Sequence, residues 1–314
     1  MSETLRCALI QAPPVFLNLE ASLDRAIDLL DRAADTGADL VAFGETWLTG
    51  YPVWIDSAPR AAIWGENSAK ALYRRLHEQS PRLDGPEISR LHARVAELEC
   101  DVAIGVHERS GATLYNTLLM LSRDGRTRVH RRKLVPTYTE RMIWGRGDGS
   151  TLGVLETPAG PVGGMICWEH WMPALRQVMH SQHEVIHVSQ WPTAHELHQI
   201  ASRQYAFAGG CFVLCCGSTL TRSEAIEGYR SLGEDEGLEL LESMEDEQLM
   251  SGGAAIIGPD TQYIAGPAGP GDEFLIAEID PGRVAESRLL LDTDGHYSRP
   301  DVFTLRVDRT ERRN

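Results

Sequence analysis

The sequence has no long apolar run and comparatively little positive charge. None of its apolar stretches approaches the roughly 20 residues that a membrane helix needs. Its start, MSETLRCALIQAPP, has no basic segment followed by an apolar run. The 30 Lys and Arg residues face 45 Asp and Glu, a formal net charge of -15, whereas phosphate binding needs clustered Lys and Arg. We therefore expect a cytoplasmic protein that binds neither nucleic acid nor a membrane.

Signals for a disulfide framework or a nucleotide cofactor are also missing. The six cysteines are spread over a long chain with no secretory signal pattern, so we expect free thiols. They are Cys7, Cys100, Cys167, Cys211, Cys215 and Cys216. Cys7, Cys211 and Cys215 lie in apolar runs, where a thiol usually behaves as a small buried hydrophobe. The glycine-rich loop after Trp144 has neither the GxGxxG nor the GxxxxGK order. We expect no cofactor and no metal.

Short β-branched runs alternate with helical patterns along the chain, which is typical of α/β proteins. With 314 residues, 42% of them apolar, we expect one domain over 1–314, although length alone would permit two. The pattern predicts strands over 6–11, 39–43, 101–106, 114–121, 162–166, 185–190, 211–216, 254–257 and 274–279. It predicts helices over 19–34, 58–77, 87–98, 173–181, 194–207 and 283–290. The acidic stretch 221–250 is predicted to be a solvated loop or surface helix.

Three segments combine a reactive side chain with an unusual setting. Glu45 follows an apolar strand and precedes a Gly/Pro loop, the edge where α/β proteins place reactive groups. Lys133 follows a strand and precedes the glycine-rich loop. Cys167 ends an apolar strand shortly before Pro173, so its thiol would lie at a strand-to-helix turn, where a cation can activate it. Alone, each has an ordinary alternative: a loop acid, a solvated basic edge or a core thiol.

Together the three segments resemble the nitrilase superfamily, whose members use Glu, Lys and Cys in that chain order. Glu45, Lys133 and Cys167 match one for one. The sequences GETWLTGYPVW, RRKLVPTYTERMIWGRGDGS and CWEHWMP resemble the true nitrilase branch, and Glu169 stands where amidase and carbamoylase branches have Asp. HVSQWP, ASRQYAFAGGCFVLCCG and DGHYSRPDVF extend the resemblance over nearly the whole chain. Thr49, where many nitrilases have Pro, and the acidic stretch 221–250 depart from the pattern.

The resemblance implies a four-layer αββα sandwich and hydrolysis of a small-molecule nitrile to a carboxylic acid and ammonia. It implies that Glu45 is the general base, that Lys133 stabilises developing negative charge, and that Cys167 forms a thioimidate and then a thioester. Glu140 matches the second glutamate of the family. Trp168, Glu169, Tyr51 and Trp191 are expected to contact substrate, and Trp47 and Trp54 are further aromatic candidates.

The resemblance also implies a homo-oligomer, either a dimer or a larger spiral. The tail, about 283–314, including His296 and Arg299, is expected in subunit contacts.

Several alternatives remain open from the residues. An amidase or a cyanide hydratase or dihydratase could use the same triad, and a scaffold protein could keep the fold without turnover. A dyad of Cys167 with His170 is conceivable, since an imidazole can activate a thiol. His183 and His187 fit the zinc pattern HExxH, but the β-branched residues between them favour a strand, which would separate the two imidazoles. His195 and His198 could share a helix face, but no third ligand is evident, and surface histidines explain them better.

Overall fold

Fourteen strands make up the sheets of the protein, seen in a computed structural model that describes residues 3–312. In chain order they are β1 Leu5–Gln11, β2 Leu40–Ala42, β3 Asp101–Ser110, β4 Thr113–Ser122, β5 Arg126–Arg132, β6 Leu155–Thr157, β7 Gly160–Ile166, β8 Ile186–Gln190, β9 Phe212–Cys216, β10 Thr219–Thr221, β11 Gln248–Ser251, β12 Ala255–Ile257, β13 Tyr263–Ala265 and β14 Glu273–Ile279. They form two six-stranded sheets, ordered β14-β1-β2-β3-β4-β5 and β13-β12-β9-β8-β7-β6, and a β10-β11 ribbon.

Both large sheets are mixed. The central strands β1, β2 and β3 of the first sheet run parallel, as do β7, β8 and β9 of the second, and antiparallel strands flank each set. The sheets pack face to face through apolar side chains of β4 and β7. Gly164 permits this contact, because a Cβ there would lie 2.6 Å from Cδ2 of Leu118. The expected mixed sheet system is confirmed.

Nine helices are described within residues 3–312. They are α1 Leu19–Asp35, α2 Trp54–Ser57, α3 Asn67–Glu78, α4 Pro86–Leu98, α5 Pro173–His180, α6 Glu196–Gly209, α7 Arg222–Arg230, α8 Gly237–Glu242 and α9 Gly282–Arg288. Helices α1 and α4 bury apolar residues against the outer face of the first sheet, and α5 and α6 do so against the second. The result is the expected αββα sandwich.

Local sequence explains where the helices begin. Asn18 caps α1 by accepting a hydrogen bond from the backbone N–H of Ala21 at 3.1 Å. The helix predicted over 58–77 is wrong in its first part, because α3 begins only at Asn67. Gly65 has a φ of +86°, which lies outside the right-handed helical region. Glu66 then caps α3 through the backbone N–H of Ser68.

The acidic stretch 221–250 is more ordered than expected. It forms α7 and α8 and most of β11, and it connects the two strands of the β10-β11 ribbon. The acidic groups on its outer side are mostly exposed, which agrees with the prediction of a surface helix. Tyr229, Leu240 and Leu241, however, are fully buried in a third apolar cluster that also includes Leu72 and Leu76 of α3. The segment therefore carries part of the core, which its acidic composition conceals.

The structure also bears on the cysteines and on membrane-spanning helices. All six cysteines are free, as predicted, and all six are buried, including Cys7, Cys211 and Cys215, for which burial was predicted. No helix within the described range 3–312 combines the length and apolar character that crossing a membrane requires.

Candidate active site

Glu45, Lys133 and Cys167 each lie just beyond the end of a strand, and the packing of the two sheets brings these ends together. Glu45 follows β2, Lys133 follows β5 and Cys167 follows β7. The backbone N–H of Glu45 donates to the carbonyl oxygen of Trp191 at 3.3 Å, which joins the two sheets. Gly105 of β3 makes room for the chain around Glu45, because a Cβ there would lie 2.3 Å from the backbone nitrogen of Thr46.

The Lys133 ammonium lies between two buried carboxylates. Its Nζ is 2.9 Å from Oε1 of Glu45, and it is 2.9 and 2.7 Å from the two oxygens of Glu140. Asn116 donates a further hydrogen bond to Oε1 of Glu45 at 2.6 Å. Oε2 of Glu45 is buried and has no hydrogen-bond partner among the described residues. Glu45 therefore keeps one oxygen available to take a proton.

The sulfur of Cys167 faces these carboxylates. Sγ of Cys167, one oxygen of Glu45 and one of Glu140 all lie within 4.8 Å of one another. Cys167 has a φ of +55° and opens a short 3-10 helix, Cys167–Trp171, that leads into α5. This left-handed backbone is strained for a residue with a side chain. The strand-to-helix turn predicted for the thiol is confirmed, and the turn directs the thiol toward Glu45.

Burial and charge set the protonation states of the three groups. Burial raises the pKa of the Cys167 thiol well above its ordinary value, and Glu45 adds to this while Lys133 opposes it. Burial also raises the pKa of Glu45 to about 7, against the charge of Lys133. Burial alone would lower the pKa of Lys133, but Cys167, Glu45 and Glu140 outweigh it and raise that pKa. A thiol therefore rests beside a carboxylate poised to accept its proton near neutral pH.

Glu140 is held rigidly in this arrangement. It lies in the 3-10 helix Tyr138–Met142, where its Oε2 accepts from the backbone N–H of Thr137 at 2.6 Å and forms a capping box. The hydroxyl of Tyr51 lies 3.1 Å from Oε1 of Glu140. These contacts fix the carboxylate that orients Lys133.

Two carboxylates and a thiol at this spacing could also hold a metal ion. The ammonium of Lys133 already lies between the carboxylates, at hydrogen-bond distance from both. Lys133 thus supplies the positive charge between the two carboxylates.

Glu169 and His170 contact protein groups around Cys167. Glu169 was expected to contact substrate, and His170 was considered as a group that could activate the thiol. Glu169 is buried, and it accepts from Arg131 at 2.7 Å and from the backbone N–H groups of Ile166 and Leu134 at 2.8 Å. Nδ1 of His170 lies 2.7 Å from the backbone oxygen of Cys167, not against its sulfur. Both side chains therefore hold the turn around Cys167 in place.

The two histidines of the HExxH pattern, His183 and His187, have different surroundings. Nε2 of His170 lies 3.1 Å from Nε2 of His187 in β8, and Nδ1 of His187 lies 2.9 Å from Oε1 of Glu184. His183 precedes the strand and is exposed. The two histidines of the pattern are separated, as the strand prediction requires.

A cavity of about 410 Å³ opens onto Cys167. Tyr51 and Trp168 line it, while Glu169 and Trp191 are not among its lining residues. Trp191 is fully buried, and its ring lies 4.6 Å from that of His198, which does line the cavity. His198 is half-buried and part of this wall, so the expectation of a plain surface histidine is wrong.

Several residues of the site were not singled out from the sequence. Asn116 is a buried amide in the largely apolar strand β4, and that unusual position could have signalled its role. Leu249 and Met250, at the end of the acidic stretch, line the cavity. Nothing in their local sequence indicates this, because it depends on how the β10-β11 ribbon folds back.

The chain is similar to known proteins over most of its length. The sequence model of the carbon-nitrogen hydrolase family matches residues 6–289. The chain belongs to the carbon-nitrogen hydrolase family. Within the family, the chain is 38% identical to a nitrilase of Pseudomonas syringae pv. syringae (strain B728a), with 97% of this chain and 90% of that protein covered. It is 37% identical to a bifunctional nitrilase/nitrile hydratase of Lupinus angustifolius, over 97% of this chain and 86% of that one.

The fold of this carbon-nitrogen hydrolase also matches solved structures. Nit3 of Saccharomyces cerevisiae, a member of branch 10 of the nitrilase superfamily, superposes with a TM-score of 0.70. The match covers 95% of this chain and 97% of that one at 18% identity. The likeness confirms the sandwich fold.

Proposed function

We propose that the protein is a nitrilase that hydrolyses an organic nitrile to a carboxylic acid and ammonia. The observation that carries the proposal is the convergence of the Cys167 thiol, the unpartnered oxygen of Glu45 and the Lys133 ammonium at one cavity. The similarity to nitrilases over nearly the whole chain supports it. The catalytic residues are Glu45, Lys133 and Cys167, with Glu140 positioning Lys133.

Glu45 and Cys167 carry out the first half of the reaction. Glu45 takes the thiol proton as the sulfur attacks the nitrile carbon, and the nitrogen gains that proton to give a thioimidate. Holding the thiol and carboxylate together in one cavity supplies much of the rate. Water, deprotonated by Glu45, then adds to the thioimidate carbon. The resulting tetrahedral species expels ammonia and leaves a thioester on Cys167.

A second water completes the cycle. Glu45 again accepts a proton, the water attacks the thioester carbon, and the C–S bond breaks to release the carboxylic acid and the thiol. Lys133 supplies a fixed positive charge for the negative nitrogen or oxygen that develops in each addition step. No solvent reorganisation is needed, because Glu45 and Glu140 already hold the ammonium in place.

The four residues expected to contact substrate divide into two pairs. Tyr51 and Trp168 line the cavity and are proposed to contact the substrate directly. Glu169 and Trp191 are buried outside the lining and are proposed to act through their neighbours. Glu169 fixes the backbone on both sides of the site, and Trp191 supports His198.

Release of an amide is a second candidate outcome of the same site. The relative from Lupinus angustifolius is a bifunctional nitrilase/nitrile hydratase, which gives this outcome specific support. The tetrahedral species decides between the products. It gives acid if the C–N bond breaks and amide if the C–S bond breaks first.

The experiment measures ammonia, acid and amide from aliphatic, aromatic and arylaliphatic nitriles and the matching amides, beside the Cys167→Ala variant. The proposal predicts conversion of nitriles to acids that disappears in Cys167→Ala. Turnover of amides alone would place the protein with amidases. Turnover that survives in Cys167→Ala would refute the role of the thiol.

The architecture of the assembly is also a proposal. We expect residues 1–314 to act as one domain, located in the cytoplasm, in a homo-oligomer whose contacts include the tail 283–314. The tail exposes large apolar side chains: Leu289, Leu290 and Phe303 are 83%, 73% and 75% exposed. This exposure supports a surface that another subunit covers. Light scattering of the full chain and of a chain ending before residue 283 would test this expectation.

A further inference from the structure

The cavity that opens onto Cys167 has an uneven distribution of charge. Its lining includes the carboxylates Asp56 and Glu140, and none of the described residues that line it is Lys or Arg. Glu140 is already paired with Lys133 at 2.7 Å. His198, also in the lining, has its pKa lowered to about 4 by burial, so it carries no positive charge at neutral pH. Asp56 therefore dominates the charge that a substrate meets in the outer cavity.

Two hydroxyl groups of the cavity wall lie at the Asp56 carboxylate. Thr139 hydrogen-bonds to Oδ1, and the hydroxyl of Tyr51 lies 3.4 Å from Oδ2. The same Tyr51 hydroxyl lies 3.1 Å from Oε1 of Glu140. Two hydroxyls leave other lone pairs of the carboxylate free to accept from a ligand. Asp56 thus stands one side chain away from Glu140, held on a short helix that begins at Trp54.

Aromatic side chains line the same cavity as Asp56. Tyr51, Tyr138 and Trp168 line the same cavity, and Tyr138 and Trp168 are 80% and 39% exposed. Aromatic faces attract cations through their quadrupole. A carboxylate that shares a cavity with several aromatic rings, and with no lysine or arginine among the described lining residues, is a suitable environment for an ammonium group.

We infer that Asp56 forms a subsite for the positively charged or hydrogen-bond-donating end of a nitrile substrate, so that the enzyme prefers ammonium-bearing nitriles and discriminates against anionic ones. The inference rests on the proposed nitrilase function and adds the substrate class. Asp56 takes no part in bond making. It selects substrates by charge while Glu45, Lys133 and Cys167 act on the nitrile carbon.

The test compares three aliphatic nitriles of matched chain length. ε-Aminocapronitrile carries a cation, heptanenitrile is its neutral counterpart, and the corresponding ω-cyanoalkanoate carries an anion. We expect Asp56→Asn to lower the ratio of kcat/KM for the cation to that for the neutral nitrile by about two- to fivefold, the size expected for an exposed carboxylate. The ratio of anion to neutral nitrile should rise. In the wild type, added salt should reduce the preference for the cation, because the carboxylate is near solvent.

Asp246→Asn is the matched control. Asp246 is an exposed acid outside the cavity lining, and its substitution removes the same charge from a chain with a net charge of -15. It should leave both ratios unchanged. Equal ratios in the wild type and in Asp56→Asn would overturn the inference, as would an equal loss of the cation preference in Asp246→Asn.

Binding separates this inference from the proposed function. Calorimetry of Cys167→Ala with ε-aminocapronitrile and with heptanenitrile reports the subsite without turnover. Tighter binding of the cation that disappears when Asp56→Asn is added supports the subsite, even if no nitrile is hydrolysed by the wild type. Hydrolysis of nitriles without any effect of Asp56→Asn would leave the nitrilase proposal standing and refute the subsite.

Discussion

Nζ of Lys133 lies 2.9 Å from Oε1 of Glu45, and both side chains are fully buried. A charge in such a place is costly unless it is paired, so the lysine and its two carboxylates depend on one another. The same contact places the cation and the base beside the sulfur of Cys167. Folding and catalysis therefore rest on the same ion pairs.

Replacing Lys133 should damage both properties. Lys133→Met leaves Glu45 and Glu140 buried without their common cation, so the free energy of unfolding should fall by about 3–5 kcal/mol. The rate should fall by about a hundred- to a thousandfold, because the developing negative charge loses its fixed partner. Denaturant unfolding and kcat are the measurements. Lys70→Met, at an exposed position on α3, is the control and should change neither; an active, stable Lys133→Met would contradict the account.

The activity should depend on the ionisation of Glu45. Because burial raises the pKa of Glu45 to about 7, kcat/KM for a nitrile without ionisable groups should fall as the pH drops through about 7. The raised pKa of Glu45 also makes the free energy of unfolding depend on pH. The stabilising contribution of Glu45 is fully present below the pKa of the unfolded state, roughly 4.3. It is lost as the pH rises through the folded-state pKa of about 7. A pH-rate profile that is flat between these values would contradict the role of Glu45.

Asn116 offers a sharper test of that assignment. It donates to Oε1 of Glu45 at 2.6 Å, and this hydrogen bond favours the ionised carboxylate. Asn116→Leu should therefore move the acidic limb of the profile upward by roughly one pH unit. Asn67→Leu, on the surface of α3, should leave the profile unchanged. An acidic limb at the same pH in Asn116→Leu would mean that another group controls it.

Gly163 in β7 should be intolerant of any side chain. A Cβ there would lie 1.6 Å from Oε1 of Glu184, whose carboxylate is buried and bonded to His187 and Tyr205. We expect Gly163→Ala to lower the free energy of unfolding by about 1–3 kcal/mol through overpacking. Gly153→Ala, where a Cβ meets nothing within 4 Å, is the control.

A double-mutant cycle locates the cause of that loss. Glu184→Ala removes the clashing carboxylate, so the loss caused by Gly163→Ala should be smaller in its presence. Additive losses in the double variant would show that Gly163 matters for a reason other than the space that Glu184 occupies.

The sequence predicted much of the sandwich and the position of its reactive groups, because both depend on local patterns. The apolar runs of β7, β8 and β9 are long enough to identify as strands without tertiary information. Cys167 could be placed at a turn because Pro173 can open the helix that follows. The resemblance then joined Glu45, Lys133 and Cys167, which are far apart in the chain.

Features that depend on packing between distant segments were not predictable in the same way. The burial of Tyr229 and Leu240 reflects packing of the acidic stretch against α3, which its charge conceals. The contact of the Tyr51 hydroxyl with Glu140 depends on where α2 and the 3-10 helix Tyr138–Met142 meet. His170 illustrates the limit most directly, because only the structure shows that its ring contacts the carbonyl oxygen of Cys167 and not the sulfur.

The measurement that tests the central claim most directly is mass spectrometry of the protein quenched with acid during turnover of a nitrile. The account predicts an added acyl group, carried as a thioester by the peptide that contains Cys167 and absent from Cys167→Ala. Steady turnover with an adduct on another cysteine, or continued turnover in Cys167→Ala, would contradict it.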